Sequence, residues 1–205
     1  MRDDYDDYVA PLDVFELDAR TFNSVSDTES PRGILAVCAM PDAGALSFTT
    51  SDWLLVVHEV SDPGNLGTLV RSAEAAGARG VVLVGPTVDP WSPKVVRASA
   101  GAVFHVPLWH IDSLTVLRHA GVKLFGTTSH DSLAVSHLES LYDADFSGAI
   151  GIVVGNEAHG LSPDADVDSW VTIEHMGRSE SLNVAMAGTV MALHVSRVRR
   201  EAQQG

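Results

Sequence analysis

A chain of 205 residues with 45% hydrophobic and 20% charged side chains has the balance of an ordinary folded domain, long enough for one well-buried core and a small appendage. No apolar run approaches the roughly 20 residues that cross a bilayer, and the acidic start Met1-Arg2-Asp3-Asp4-Tyr5-Asp6-Asp7 lacks the apolar core of a signal peptide, so a cytoplasmic protein without a membrane segment is expected. A net charge of −14 excludes a global positive field for nucleic acid, so any RNA would have to meet a local basic patch.

Half of that charge sits at the start, where residues 1–30 hold nine acidic and two basic side chains. Residues 1–50 read as an acidic, irregular segment and linker with strand-like stretches at Leu12–Leu17 and Ile34–Ala39. Turn signals, Ser30-Pro31-Arg32-Gly33 and Met40-Pro41-Asp42-Ala43-Gly44, punctuate them. Cys38 is the only cysteine, which excludes an internal disulfide and a thiolate cluster, and its apolar neighbours predict a small core residue. The histidines show no HxxxH pair, and no metal is expected.

From Trp53 onward the pattern alternates strand and helix. Trp53–Val60 is a β-branched apolar run, Asn65–Gly77 a helix, Val81–Val84 a buried strand, and Pro93–Ala100 a short helix. Strands are predicted at Val103–Val106, Val122–Gly126, Ile150–Val154 and Val171–Ile173, and helices over Ile111–Ala120 and Asn183–Arg200. Val184, Ala187, Met191, His194 or Val195, and Val198 form the apolar stripe of the last helix. Such alternation means an α/β fold with a parallel sheet, whose ligands bind outside the carboxyl ends of the strands.

Three loops at those ends stand out. Asp62-Pro63-Gly64-Asn65 is a turn sequence in which Asn65 can cap the following helix, with Arg71 almost two turns in. It reads equally as a plain strand-turn-helix connection with a surface arginine. Gly155-Asn156-Glu157-Ala158-His159-Gly160-Leu161 follows a buried strand and places an amide and a carboxylate at the ligand edge, its glycines allowing close approach of a bound group. Its plain alternative is a capping turn in which Glu157 satisfies backbone donors. Ser179-Glu180-Ser181-Leu182-Asn183 leads into a helix that begins with small residues, either as a ligand loop or as a cap by Ser179 or Ser181 with Glu180. No Gly-Lys-Ser/Thr phosphate loop and no G-x-G-x-x-G occurs, which disfavours an unrelated nucleotide-binding enzyme.

Taken in order, Asp62-Pro63-x-Asn65-x-Gly67 with Arg71, Gly155-Asn156-Glu157-x-x-Gly160-Leu161 and Glu180-Ser181-Leu182-Asn183-Val184 resemble the three motifs of the SpoU (TrmH-like) RNA ribose methyltransferases of the SPOUT superfamily. Ser99-Ala100-Gly101-Ala102-Val103-Phe104 with Val106-Pro107, and Gly33, extend the match over roughly residues 30–200. The resemblance implies a parallel-sheet α/β knot, its C-terminal part threaded into a deep trefoil knot. It also implies a homodimer that moves a methyl group from S-adenosylmethionine to a ribose 2′-hydroxyl of RNA, with rRNA ahead of tRNA. A non-catalytic relative that binds cofactor or RNA is the alternative.

By motif position, Gly155, Ile173 and Leu182 would hold S-adenosylmethionine through backbone contacts, with Thr127, Thr128 and Met176 nearby. Arg71 corresponds to the family's catalytic arginine, surrounded by Asn65, Glu157, Ser181 and Asn183. An arginine stays protonated, so the expected role is electrostatic rather than that of a base. Residues 51–205 would be the methyltransferase domain, and residues 1–50 the end of an RNA-binding domain, in a chain either naturally short or cut from a longer one.

Overall fold

The computed structural model describes residues 13–28, 30–129, 135, 137–174, 176, 178 and 181–204. Met1–Ala39 and Met40–Gly205 are two separate units. In the first, helix α1 (Ala19–Val25) is capped by Asp18, whose carboxylate accepts from the Arg20 and Thr21 amides. The expected strands do not form among the described residues of Leu12–Leu17 and Ile34–Ala39; Leu12 lies outside them. Among the described residues no strand pairs with either stretch, and Val37 is 95% exposed and Cys38 is exposed, not a core residue. Residues 40–50 belong to the second unit, where Ala43, Leu46 and Phe48 pack on its core and the Trp109 indole donates to the Gly44 carbonyl.

The second unit runs β1 (Trp53–His58), α2 (Pro63–Ala75), β2 (Gly80–Val84), α3 (Pro93–Ala98), β3 (Leu108–Ile111), α4 (Thr115–His119), β4 (Lys123–Thr128), β5 (Leu138–Ser140), β6 (Ile150–Val154), β7 (Ser169–Thr172) and α5 (Val184–Ala202). The strands form one seven-stranded sheet in the order β3-β2-β1-β6-β4-β7-β5. All six pairings are parallel. The continuous apolar runs of β1, β2 and β6 are buried on both faces, as central parallel strands require. Alternate side chains divide between two clusters: Leu55, Val57, Ile152 and Val154 on one face, Leu54, Val56 and Val153 on the other. β6 enters the sheet between β1 and β4, which puts its last residue at the centre of the ligand edge.

Several predicted elements move. Val103–Val106 is not a strand: Ala100 (φ +51°) and Gly101 (φ +91°) turn the chain into a 3-10 turn at Ala102–Phe104. The strand starts after Pro107, which has no N–H to offer a ladder. Ile111 therefore belongs to β3, and the helix predicted from it shrinks to α4. β5, three residues at the sheet edge, has no apolar run to announce it.

The stripe on α5 also shifts, to Ala185, Gly188, Met191, Ala192 and Val195. Small residues face α2 because the two helices approach closely. A Cβ on Gly188 would land on Leu69, and the Ser72 and Thr189 hydroxyls share a 2.7 Å hydrogen bond. His194 is half-buried instead, its ring edge-on to Tyr142 (5.3 Å) and Phe146 (6.0 Å). Among the described residues no helix is long and apolar enough to cross a membrane.

Gly67 makes the same kind of contact between α2 and α3, where an added Cβ would meet the Ala98 Cβ and carbonyl carbon and the Ser99 amide nitrogen. Gly67→Ala is expected to destabilise the fold by about 2 kcal/mol, overpacking outweighing the gain in helix propensity. Urea denaturation checks this, and an unchanged or higher midpoint would contradict it.

Candidate active site

The carboxyl ends of β1, β4, β6 and β7 meet at one edge of the sheet, and local sequence decides what each delivers there. After β1 the chain passes through Glu59, held at φ +56°, and reaches Asp62. Asp62, not Asn65, caps α2: its carboxylate accepts from the Asn65 amide at 2.8 Å, and Pro63 takes the first helical position, where a missing N–H costs nothing. Asn65 lies inside the first turn with its carboxamide left for other partners.

After β6 the chain doubles back. Asn156 and Gly160 exchange two backbone hydrogen bonds, at 3.0 and 2.8 Å. Gly160 adopts φ +66°, and a Cβ on Gly155 would land on the Gly160 carbonyl and the Leu161 amide. The two glycines thus let the loop fold back on itself, and both line the cleft beside it. The Asn156 carboxamide accepts from the Ala158 (2.8 Å) and His159 (3.3 Å) amides and donates to the Glu59 carbonyl at 2.9 Å, tying the β6 loop to the β1 loop.

At α5 the cap is Asn183 rather than Ser181; Ser179 and Glu180, the other parts of the predicted cap, lie outside the described residues. Its Oδ1 accepts from the Ala185 (2.9 Å) and Met186 (3.2 Å) amides, and its Nδ2 donates to Asn65 Oδ1 at 3.1 Å. Asn65 Nδ2 in turn donates to Glu157 Oε1 at 3.2 Å. Glu157 also accepts from the Asp62 amide (3.0 Å) and from the Ser61 amide and hydroxyl (3.3 Å each). One polar chain, Glu157–Asn65–Asn183, therefore joins the three loops.

Beside this chain lies a cleft of about 360 Å³, the size range of small-molecule sites. Of the residues expected to hold a cofactor, Thr127, Thr128, Gly155, Ile173 and Leu182 line it, as do Glu157 and Ser181. Met176 does not: its side chain is fully exposed. Asn65, half-buried, and Asn183, exposed, do not line the cleft, and neither does Arg71, which is exposed on α2. No salt bridge pairs Arg71 with a carboxylate among the described residues. The sequence reading missed Asn156 as a cross-link, and it missed Val184 and Ala187 as cleft walls. The spacing Asn156-x-x-x-Gly160 was the available signal for the fold-back.

Partial burial pushes the Glu157 carboxyl up, but the Asp62, Asn65 and Ser61 donors outweigh it and hold the group below its ordinary value of 4.5. A carboxyl with a lowered folded value stabilises the fold above its unfolded value, and the contribution disappears as pH falls through the folded one. The thermal stability advantage of the parent chain over Glu157→Gln is therefore expected to be full at pH 7 and to shrink below about pH 4. A difference that stays constant from pH 7 to 3 would contradict it.

Comparison with known proteins agrees with this geometry. Residues 52–193 match the SpoU rRNA Methylase family. The chain is 32% identical over 194 residues to the 23S rRNA (guanosine(2553)-2'-O)-methyltransferase RlmP of Bacillus subtilis, covering 90% of this chain and 73% of that protein. It is 33% identical to the 23S rRNA (uridine(2479)-2'-O)-methyltransferase of Streptomyces viridochromogenes, covering 83% of this chain and 62% of that one. The fold superposes on the SpoU methyltransferase AviRb from Streptomyces viridochromogenes in complex with the cofactor AdoMet, with a TM-score of 0.73, 28% identity, and coverage of 91% and 81% of the two chains. With the family match spanning most of the chain and all three loops converging on one edge, the protein belongs to the SpoU rRNA methylase family.

Proposed function

We propose that this chain transfers a methyl group from S-adenosylmethionine to a ribose 2′-hydroxyl of RNA, with rRNA as substrate. The observation that carries the reading is the Glu157–Asn65–Asn183 chain standing against a 360 Å³ cleft in a member of this family. The Bacillus and Streptomyces relatives, both named as 23S rRNA 2'-O-methyltransferases, support rRNA over tRNA.

The cleft suits the cofactor's mixed chemistry: the hydroxyl-bearing Thr127, Thr128 and Ser181 line it together with the apolar Ile173 and Leu182. When bound, S-adenosylmethionine supplies a sulfonium methyl that is already an activated electrophile. The residues have to hold a weak nucleophile in line and stabilise the charge it develops. Arg71, exposed on α2 outside the cleft, orients an RNA phosphate by its charge. Glu157 spends its oxygens on Ser61, Asp62 and Asn65, so it acts as a positioning group rather than a base. Asn65 and Asn183 transmit that positioning to Ser181 and Leu182, which line the cleft.

The same reading includes a trefoil knot between β6 and α5, supported by the insertion of β6 between β1 and β4 and the return of α5 onto α2. It includes a homodimer, supported by Met186, Val190 and Leu193, which leave an exposed apolar row along α5. Residues 51–205 would carry the methyltransferase site and the acidic start the end of an RNA-binding domain, in a cytoplasmic enzyme.

Incubation with methyl-labelled S-adenosylmethionine and unmodified 23S rRNA, followed by nucleoside digestion, is expected to give a labelled 2′-O-methylnucleoside. Label on a base, or none, would contradict the proposal. Arg71→Ala should lower the transfer rate by about a hundredfold or more, with cofactor affinity within about twofold of the parent. Transfer at the parental rate would remove Arg71 from the mechanism.

A further inference from the structure

With 27 acidic and 13 basic side chains, the chain as a whole repels a polyanion, so RNA has to meet a surface from which carboxylates are missing. Two stretches meet that condition: residues 63–73 and 90–111 hold no acidic side chain and carry Arg71, Lys94 and Arg97. They form most of α2, and α3 with the turn that follows it. The two helices touch where Gly67 meets Ala98 and Ser99. Arg71 stands one turn beyond Gly67, and Lys94 and Arg97 are neighbours one turn apart on α3; all three are exposed.

Aromatic rings continue this surface. The left-handed turn at Ala100 and Gly101 brings the chain back, and Phe104 meets Trp91, just ahead of α3, with ring centroids 5.9 Å apart. Phe104 is 42% exposed and belongs to neither core cluster. With Trp91 and His105 it lines a recess of about 180 Å³. Asp89, two residues before Trp91, accepts from the Trp91 amide at 2.9 Å, and Asp42, which also lines the recess, accepts from the Gly44 amide at 2.8 Å, so both carboxylates are tied into turns.

Exposed cations beside an exposed ring suit single-stranded RNA, whose phosphates meet the charges whatever the sequence and whose unpaired bases stack on aromatic faces. We infer that the α2–α3 face is a binding surface for single-stranded RNA, with Lys94 and Arg97 on phosphates and an unpaired base stacked on Phe104. The surface leads away from the cleft: α2 begins where Asn65 bonds Glu157, and it carries Arg71 about 9 Å further along. The inference rests on the methyltransferase reading for the class of ligand, and adds where the RNA flanking the target nucleotide lies.

Fluorescence anisotropy of the full chain with labelled oligouridylate, over a range of salt, reads both parts of the surface. Lys94→Gln is expected to weaken binding about three- to tenfold and to make the slope of log K against log salt shallower by about 0.7. Phe104→Leu is expected to weaken binding about fivefold or more with the slope unchanged, and Phe104→Tyr, which keeps the ring, to bind within about twofold of the parent. Lys123→Gln removes a cation at the amino end of β4, away from this face, and should also stay within about twofold. Parental affinity in Lys94→Gln or in Phe104→Leu would overturn the inference, and so would an equal loss in Lys123→Gln, which would mean a diffuse attraction. A changed oligomeric state in Phe104→Leu with RNA affinity kept would assign the face to a protein partner instead. A parent that binds RNA through these residues but binds no S-adenosylhomocysteine would overturn the proposed function and leave the surface standing. Parental rates of rRNA methylation and parental RNA affinity in both variants would do the reverse.

Discussion

The carboxamide of Asn65 takes a hydrogen bond from Asn183 on one side and gives one to Glu157 on the other. Its partners lie 118 and 92 residues away along the chain, so the bonds form only when the sheet and both helices are in place. Each bond contributes about 1 kcal/mol net, less than the entropy of ordering the loops it joins. Their value lies in what they fix together. Asn183 is also the cap of α5, and Glu157 also holds the Ser61 and Asp62 amides, so one amide sets the start of a helix, the entry to another and the turn after β6.

That convergence needs close backbone approach. β6 delivers Glu157 to the centre of the ligand edge because its five buried residues fit between β1 and β4. Gly155 then lets the chain fold back on Gly160, and Gly188 lets α5 settle against Leu69 of α2. Substitution at either glycine would separate elements that must stay near each other for Asn65 to reach both partners. The Arg118 guanidinium, bonded to Asp166 and Asp168, anchors the chain beyond the cleft wall at Leu161 and Pro163.

Much of this was legible beforehand, for physical reasons. Central strands announce themselves as β-branched runs, and β1, β2 and β6 fall within a residue or two of where those runs predict. The motif residues Asn65, Glu157 and Asn183 were expected together and do meet. Their tasks were misassigned locally: composition makes Asn65 and Ser181 good caps, yet Asp62 and Asn183 hold those positions, and the Asn65 carboxamide bonds Asn183 and Glu157 instead. Cys38 and the Ile34–Ala39 run show that apolar content without a pairing partner does not make a strand.

If one polar chain assembles the site, its two ends cannot act independently even though Glu157 and Asn183 do not bond each other directly. A double-mutant cycle with Glu157→Ala and Asn183→Ala, read in kcat/KM for methyl transfer, measures this most directly. The two losses are expected to fall short of additive by about 1 kcal/mol. They should become additive once Asn65 is also replaced by alanine. Losses that add within about 0.3 kcal/mol in the presence of Asn65 would contradict the account.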